Sequence, residues 1–568
     1  MRRLSTLSAL SLVAIGGGLV LTQACSGGSS GTPAATADGR ADMLVIPWQS
    51  DIGQLTPGVS ESASDGYIMA MINYPVVDSG FDCSLKKSPG IATEWAWNED
   101  GTVLSMTLRD DITFSDGHLV TAEDIAFTYE LVRDPVVASP RVSFVERMVE
   151  GKDPLVIDDT HIEWHFTVAY DRDTQMSHAT GVPVIPKHIM ENADRASLRG
   201  NDYSRAPMST GPWKLAEHDP NVRIVMEPNE NFTGPAEDRT KLKRVVFQII
   251  PEYNTRLLKL QAGEVDLMES ILVSDADALR ENHPEINLVK RGYRSNDYVA
   301  WNLSNPLFQD VRVRRAMAHA TNVDDIIGKL LTSSDGTAYA RRSIGTITPE
   351  LCGVHNDSVT PLAYNQEEAR RLFAEAGWTD SDADGVLDKD GEKFEFTLTT
   401  NTGNSRRAQS SVFIQSNLAE VGVKINIEQL ESNTFFENLR LKDYEAALAG
   451  WSAGLFVDPS GLWHSDIVCA EGQEDCEPKK YEFNFTGFSN ARADELIDQG
   501  LRTPIPGEAA PIWMELQQVI YDEQPYMFLW WQNEIVGVSD RFENTETDLL
   551  SPYGHLEHWS VPADRVKY

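Results

Sequence analysis

A chain of 568 residues is longer than one hydrophobic core can organise, so more than one domain is expected. Its composition, 41% hydrophobic and 24% charged, is ordinary for a soluble globular protein. Forty-nine basic residues against 86 acidic ones leave a net charge of −37, which repels phosphate backbones and excludes nucleic acid as a partner.

The first elements are for targeting, not folding. Met1-Arg2-Arg3 is positively charged, Leu10 to Leu21 is a short apolar run, and small residues lead to Ala24-Cys25. The run is too short for a membrane span and has the layout of a secretory signal. The sequence LTQAC resembles a bacterial lipoprotein signal, although Thr22 stands where leucine is usual. That resemblance makes residues 1–24 a signal peptide and Cys25 the lipidated first residue, with the membrane a partner through that lipid; the alternative is an ordinary cleaved signal peptide with an incidental cysteine. Residues 25–42 are rich in Gly, Ser and Ala and read as a flexible tether. Cys83, Cys352, Cys469 and Cys476 remain, and four cysteines in an exported chain allow three connectivities. Cys469 and Cys476 bracket a short polar loop, and pairing them would contribute roughly 2–3 kcal/mol by chain entropy.

After the tether, Met43–Trp48 reads as an apolar strand and residues 66–77 as an apolar helical stretch ended by proline. Residues 107–130 (TLRDDITFSDGHLVTAEDIAFTYE) read as strand, turn at Ser115-Asp116-Gly117, then helix. Thr121 caps that helix and Asp124 stands at the acid position of a capping box. Ile125, Tyr129 and Val132 at i, i+4, i+7 form its apolar face. Strand patterns follow around Met106 and Leu108, at 162–166, at 222–226 and, nearly continuously apolar, at 243–250. Residues 310–331 read as one helix with Val313, Met317 and Ala320 inward. Asn365, Glu368 and Gly377 mark the cap, capping box and stop of a helix over 365–376. Strands at 394–398 and 423–427 flank a helix at 412–420. Strands and helices alternate throughout, which is α/β or α+β, and without a long linker after residue 42 the domains must be interwoven.

Five segments, in order, carry a likeness to a known family: ATEWAWNEDGTVLSMTL with the strand–turn–helix unit after it, STGPWKL at 209–215, LLKLQAGEVDLMES at 257–270, VAWNLSNPLFQDVRVRRAMAHATNVDDII, and the stretch from AALAGW through Val457-Asp458-Pro459 to FTGFSNARADELID. They resemble the extracellular solute-binding proteins of peptide and nickel ABC importers. The resemblance implies an α/β, two-lobed flytrap with an extra subdomain inserted in lobe I. Lobe I is expected at 43–66, 206–294 and 525–568, the inserted subdomain at 67–205 and lobe II at 295–524. It implies no catalysis and no required cofactor. The partners implied are a peptide or peptide-like ligand and the permease subunits of the importer, for a monomeric lipoprotein on the outer or periplasmic face of a bacterial membrane.

The same resemblance places Trp451 at the cleft as a stacking surface for ligand. In relatives an aspartate three residues beyond holds the ligand's α-ammonium; here that position is Gly454, and the nearest acid is Asp458. Either Asp458 takes the role or the ligand lacks that amino terminus. Arg406 and Arg407 stand where some dipeptide binders clamp the ligand carboxylate, Arg407 being the candidate, with surface arginines the alternative. Of Trp530 and Trp531, one is expected at the cleft wall and one in the core; Trp531 is the candidate for the wall.

Other patterns point elsewhere. Asp380, Asp382, Asp384 and Asp388 have the spacing of a calcium loop, broken at position twelve by Gly391. The reading is a structural calcium site or an acidic hairpin turn. His161, Glu163 and His165 share one strand face and match no metalloprotease motif. His555 and His558 leave a metal chelate open as cargo. The alternatives to a peptide receptor are an exported hydrolase on an α/β scaffold and a binder of a non-peptide solute such as a metal chelate or oligosaccharide.

Overall fold

The computed structural model describes residues 41–60, 62–79, 87–152, 154–351, 353–454, 457–467, 483–547 and 551–565. The signal segment, the tether up to residue 40 and all five cysteines, including Cys25, Cys469 and Cys476, lie outside the described residues.

Lobe I is built on four strands. Met43–Trp48 runs parallel to Arg244–Ile249, which pairs antiparallel with Arg223–Pro228, and that strand with Trp213–Asp219. Leu44, Ile46, Trp48, Val245 and Phe247 are fully buried and pack against Val536, Val538 and Trp559. A buried ion pair ties these pieces: Arg541 Nε donates to Asp266 at 2.8 Å, and the N–H of Val45 donates to the same carboxylate at 2.9 Å.

The inserted subdomain has its own sheet, in the order Ala92–Trp97, Val103–Leu108, His161–His165, Leu155–Asp158. Helix Ala122–Arg133 covers it with Ile125, Tyr129 and Val132, each 1% exposed. The expected cap is present: Asp124 accepts from the Thr121 N–H at 2.9 Å and from its hydroxyl at 3.1 Å. Its other oxygen accepts the Lys187 N–H at 2.8 Å, so the cap also fixes a distant segment.

Lobe II carries Ile286–Trp301, Ala446–Ser452, Glu395–Asn401 and Lys424–Leu430 as neighbouring strands. Helices Val311–Ala320, Gln366–Glu375 and Ser405–Ala419 cover one face; Ala491–Leu501 and Pro506–Glu523 cover the other. The helix expected over 310–331 is two helices, Val311–Ala320 and Val323–Leu330. Asn322 divides them: its side chain accepts the Asp325 N–H at 3.1 Å, and its own N–H donates to Asn417 at 2.9 Å. A local side-chain cap competes successfully with helix continuation there. The helix expected at 412–420 starts earlier, at Ser405, because Asn404 caps it through the Arg407 N–H at 3.0 Å.

Two long strands, Ile286–Trp301 and Tyr526–Ser539, pair antiparallel and run through both lobes. They correct three of the expected domain edges. The edge at 294/295 cuts inside a continuous strand. Residues 525–568 do not all belong to lobe I, since Tyr526 to Trp530 pack in the lobe II cores while Val536 and Val538 pack in lobe I. Helix Ala63–Ile72 buries Ile68, Met69 and Ile72 in the lobe I core, so the inserted subdomain starts after this helix and not at residue 67.

Candidate functional site

Strand Ala446–Ser452 ends at the gap between lobes, and its last turn of side chains defines the site. Trp451 lies in register with Asn296, which lies in register with Trp531 on the other side. Asn296 is 1% exposed; its carbonyl accepts the Trp451 N–H at 3.1 Å and its amide donates to Gly345 O at 3.2 Å. The indole of Trp451 sits 5.4 Å from the Phe485 ring at 20°, and 6.3 Å from Tyr298 at 22°. Tyr298 in turn stacks on Tyr526 at 3.9 Å. Trp451 is therefore half core and half surface, fixed by an aromatic stack beneath it.

Its open side faces a cavity of about 880 Å³ between lobe II and the inserted subdomain. This volume is in the upper part of the roughly 300–1,000 Å³ range of small-molecule sites. Phe483 and Val457 extend the lobe II wall; Phe144, Arg147 and His178 form the opposite one. Gly454 and Asp458 both line it. Asp458 accepts the Ser460 N–H at 3.1 Å and lies 4.0 Å from Arg147 Nη2 across the gap. His178 stacks on Phe144 at 4.9 Å and shares a hydrogen bond with the Tyr170 hydroxyl at 3.1 Å. Burial pushes its imidazole down to about 4, against the opposing pull of Asp458, so His178 is neutral at pH 7. Backbone bonds close the same seam: the Asp171 N–H donates to Leu501 O at 2.8 Å and the Arg172 N–H to Pro504 O at 3.2 Å.

A second cavity, about 420 Å³, lies on the other side of Ser452, which lines both. Here the walls are charged: Arg291, Arg294, Arg406, Lys329, Asp277 and Glu534. Glu534 pairs with Arg291 and accepts from the Ser270 hydroxyl at 2.8 Å. Beside Ser270, burial and then repulsion from Glu534 push the Glu269 carboxyl up to about 7.

Behind this cavity sits a buried charge cluster. Asp297, with its side chain 1% exposed, accepts from Arg406 Nε at 2.8 Å and from Arg407 Nε at 3.0 Å. Burial raises its carboxyl, but the two guanidiniums outweigh burial and hold it below the usual carboxylate range. Arg407 also donates to Asn401 at 3.0 Å. Gly450 makes room for the cluster. A Cβ there would meet Arg407 Nη2 and Asn296 O at 2.4 Å and Asp297 Oδ1 at 2.6 Å.

Of the residues expected from the sequence, the structure brings Trp451, Gly454 and Asp458 into one cavity. Arg407 lines neither cavity and points at Asp297, whereas its neighbour Arg406 reaches the smaller one. Trp531, expected at the cleft wall, is 0% exposed, as is Trp530. Successive side chains of a strand face opposite sides of the sheet, and at this point both sides are covered, so both indoles are buried. The aspartates of the calcium-like loop already have a cation: Lys393 Nζ lies 2.7 Å from Asp382, 3.0 Å from Asp384 and 3.7 Å from Asp388. Asp388 also accepts from the Ser381 N–H at 2.9 Å. Lys393 thus faces three of the four aspartates, while Asp380 accepts the Gly385 N–H at 3.0 Å.

Sequence reading missed Asp297, Asn296 and the wall from the inserted subdomain. Asp297 had a signal: it is an acid within an apolar strand, and such an acid demands a buried partner.

Residues 86–468 match the family of bacterial extracellular solute-binding proteins, family 5 Middle. The oligopeptide-binding protein AppA of Bacillus subtilis (strain 168) is 28% identical over 468 residues, 81% of each chain. The nickel-binding periplasmic protein of Escherichia coli (strain K12) is 23% identical, covering 70% of this chain and 73% of that protein. Among solved structures, AppA from Bacillus subtilis in complex with a nonapeptide superposes with a TM-score of 0.76 at 25% identity, over 92% of this chain and 99% of that one. NikZ from Campylobacter jejuni in complex with Ni(L-His) gives 0.78 at 20% identity, over 92% of this chain and 99% of that one. The chain belongs to family 5 of the bacterial extracellular solute-binding proteins, two-lobed α/β receptors that hold a solute.

Proposed function

We propose that this chain captures peptides or peptide-like solutes for an ABC importer and presents them to its permease as a monomer tethered to the cell envelope through Cys25. The observation that carries this reading is the cavity of about 880 Å³ walled by Trp451, Phe483 and Phe144. Its flat apolar walls suit side chains of varied shape, and ordered water fills what they leave. Likeness to the oligopeptide-binding protein AppA supports the peptide class. The family membership favours a receptor over the exported hydrolase.

In this reading Asp458 supplies the carboxylate that Gly454 does not. A ligand ammonium there would compete with Arg147, 4.0 Å away, for the same oxygen. Binding draws the lobes together about the two long strands, and the closed form is what the permease recognises. Among the described residues no helix is long and apolar enough to cross a membrane.

A thermal-shift series with di-, tri- and longer peptides, beside nickel–histidine and an oligosaccharide, tests the ligand class. Peptides at a hundred times their Kd should raise stability by about 2.7 kcal/mol through mass action. Stabilisation by the chelate or the sugar alone would overturn the peptide reading. Mass spectrometry of the mature amino terminus tests the anchor: an unmodified residue at position 25 would refute it.

A further inference from the structure

Away from the cleft, the turn of the inserted subdomain converges with a distant helix on a set of metal-ligating atoms. Asp116 and His118 flank Gly117, whose φ of +92° turns the chain sharply enough to bring both side chains to one side. His188 comes from helix Lys187–Met190, some 70 residues later. His188 Nε2 lies 2.8 Å from Asp116 Oδ2, and His118 Nδ1 lies 3.1 Å from the same oxygen. The two imidazoles stack at 4.1 Å and 22°. The other oxygen of Asp116 accepts the His118 N–H at 3.0 Å, which fixes the carboxylate and leaves Oδ2 to the imidazoles.

We propose that Asp116, His118 and His188 bind a divalent first-row transition ion of the zinc, nickel or copper kind. Two imidazole nitrogens and one carboxylate oxygen are the donors such ions prefer. The geometry agrees. Metal–nitrogen bonds of about 2.0–2.1 Å put neighbouring ligand atoms about 3.0–3.4 Å apart. The three donor atoms here all lie within 4.8 Å of one another, and two of the separations are close to that range already. The His118 side chain is 62% exposed, so the ion enters from solvent and keeps water in its remaining positions. Bound there, it joins the turn at residues 113–119 to the helix at 187–190 and stiffens the subdomain.

Two other sets are weaker. The aspartates at 380, 382 and 384 already face Lys393. His555, Glu557 and His558 lie further apart, at 3.4 and 3.9 Å, and His558 is shared with Asp238 at 3.5 Å. They serve as the control.

The test is calorimetric titration of the untagged, chelator-stripped mature protein with zinc chloride, with melting curves recorded beside it. The double variant H118Q/H188Q should bind one equivalent fewer than the parent, while H555Q/H558Q should bind as the parent does. Zinc should raise the Tm of the parent and of H555Q/H558Q, and leave H118Q/H188Q where it was. The single variant H118Q, at an exposed position, should lose the same equivalent and guards against a folding defect at His188. No uptake by the parent, unchanged uptake by H118Q/H188Q, or loss confined to H555Q/H558Q would each overturn the proposal.

Discussion

The two cavities on either side of Ser452 share a strand end and are made of opposite materials. The smaller is lined by charges that answer one another, Arg291 with Glu534 and Arg406 with Asp297. The larger is walled by Trp451, Phe483, Phe144 and a neutral His178, with a loose ion pair between Arg147 and Asp458 and, at its edge, His464 beside Asp466 and Asp498. Charges already paired within the protein gain little from a ligand, since a newcomer must first replace a partner. Flat aromatic surface open to water gains by being covered. The smaller cavity is thus read as the brace that holds the strand end, and the larger as the receptor.

Breaking the brace should have the largest effect. Asp297→Ala leaves two part-buried guanidiniums side by side without their carboxylate and should cost roughly 3 kcal/mol in urea denaturation. A loss under about 1 kcal/mol would mean that the cluster does not brace the fold. Gly450→Ala strikes the same cluster from the other side. Its methyl group would overlap backbone as well as Arg407, so the cost should approach the upper end of the roughly 1–3 kcal/mol seen for overpacking.

Effects in the receptor cavity should be smaller and depend on conditions. Burial lowers the His178 imidazole from 6.5 to about 4. Between those values the unfolded chain holds a proton that the folded one does not. Stability should therefore fall as pH drops from about 6.5 to about 4 and level off below. His178→Gln should remove that part of the slope; an unchanged urea-midpoint profile would place the imidazole in water. Arg147→Ala should change stability by less than about 1 kcal/mol, because its pairing with Asp458 is long and part-exposed.

What could be read from the sequence was local. The cap of Asp124 on Thr121, the Asn365 cap and the stop at Gly377 depend on residues within a few positions, as does strand alternation, and these elements stand where the pattern put them. Trp451, Gly454 and Asp458 lie within a few positions of one another in the sequence, and a family likeness could bring them together. The pairing of Asp297 with Arg406 and Arg407 spans 109 and 110 residues, and nothing in the local pattern joins them. The sequence therefore leaves Arg407 as either a ligand clamp or a surface arginine, and its burial against Asp297 is neither. The break at Asn322 is hidden for a different reason: its cap on the Asp325 N–H is local, but the apolar stripe continues across it, and the contact with Asn417 that holds it comes from 95 residues away. The long strands blurred the domain edges because their apolar pattern does not change where they pass from one lobe to the other.

The assignment of receptor and brace is tested most directly by calorimetry with one stabilising peptide on two variants. Trp451→Ala removes the aromatic wall of the larger cavity and should weaken binding by roughly 2 kcal/mol, about 30-fold. Gln409→Ala, at the rim of the smaller cavity, should leave the affinity within about twofold. The opposite pattern, with Trp451→Ala silent and Gln409→Ala weakened, would contradict the account and move the ligand to the charged cavity.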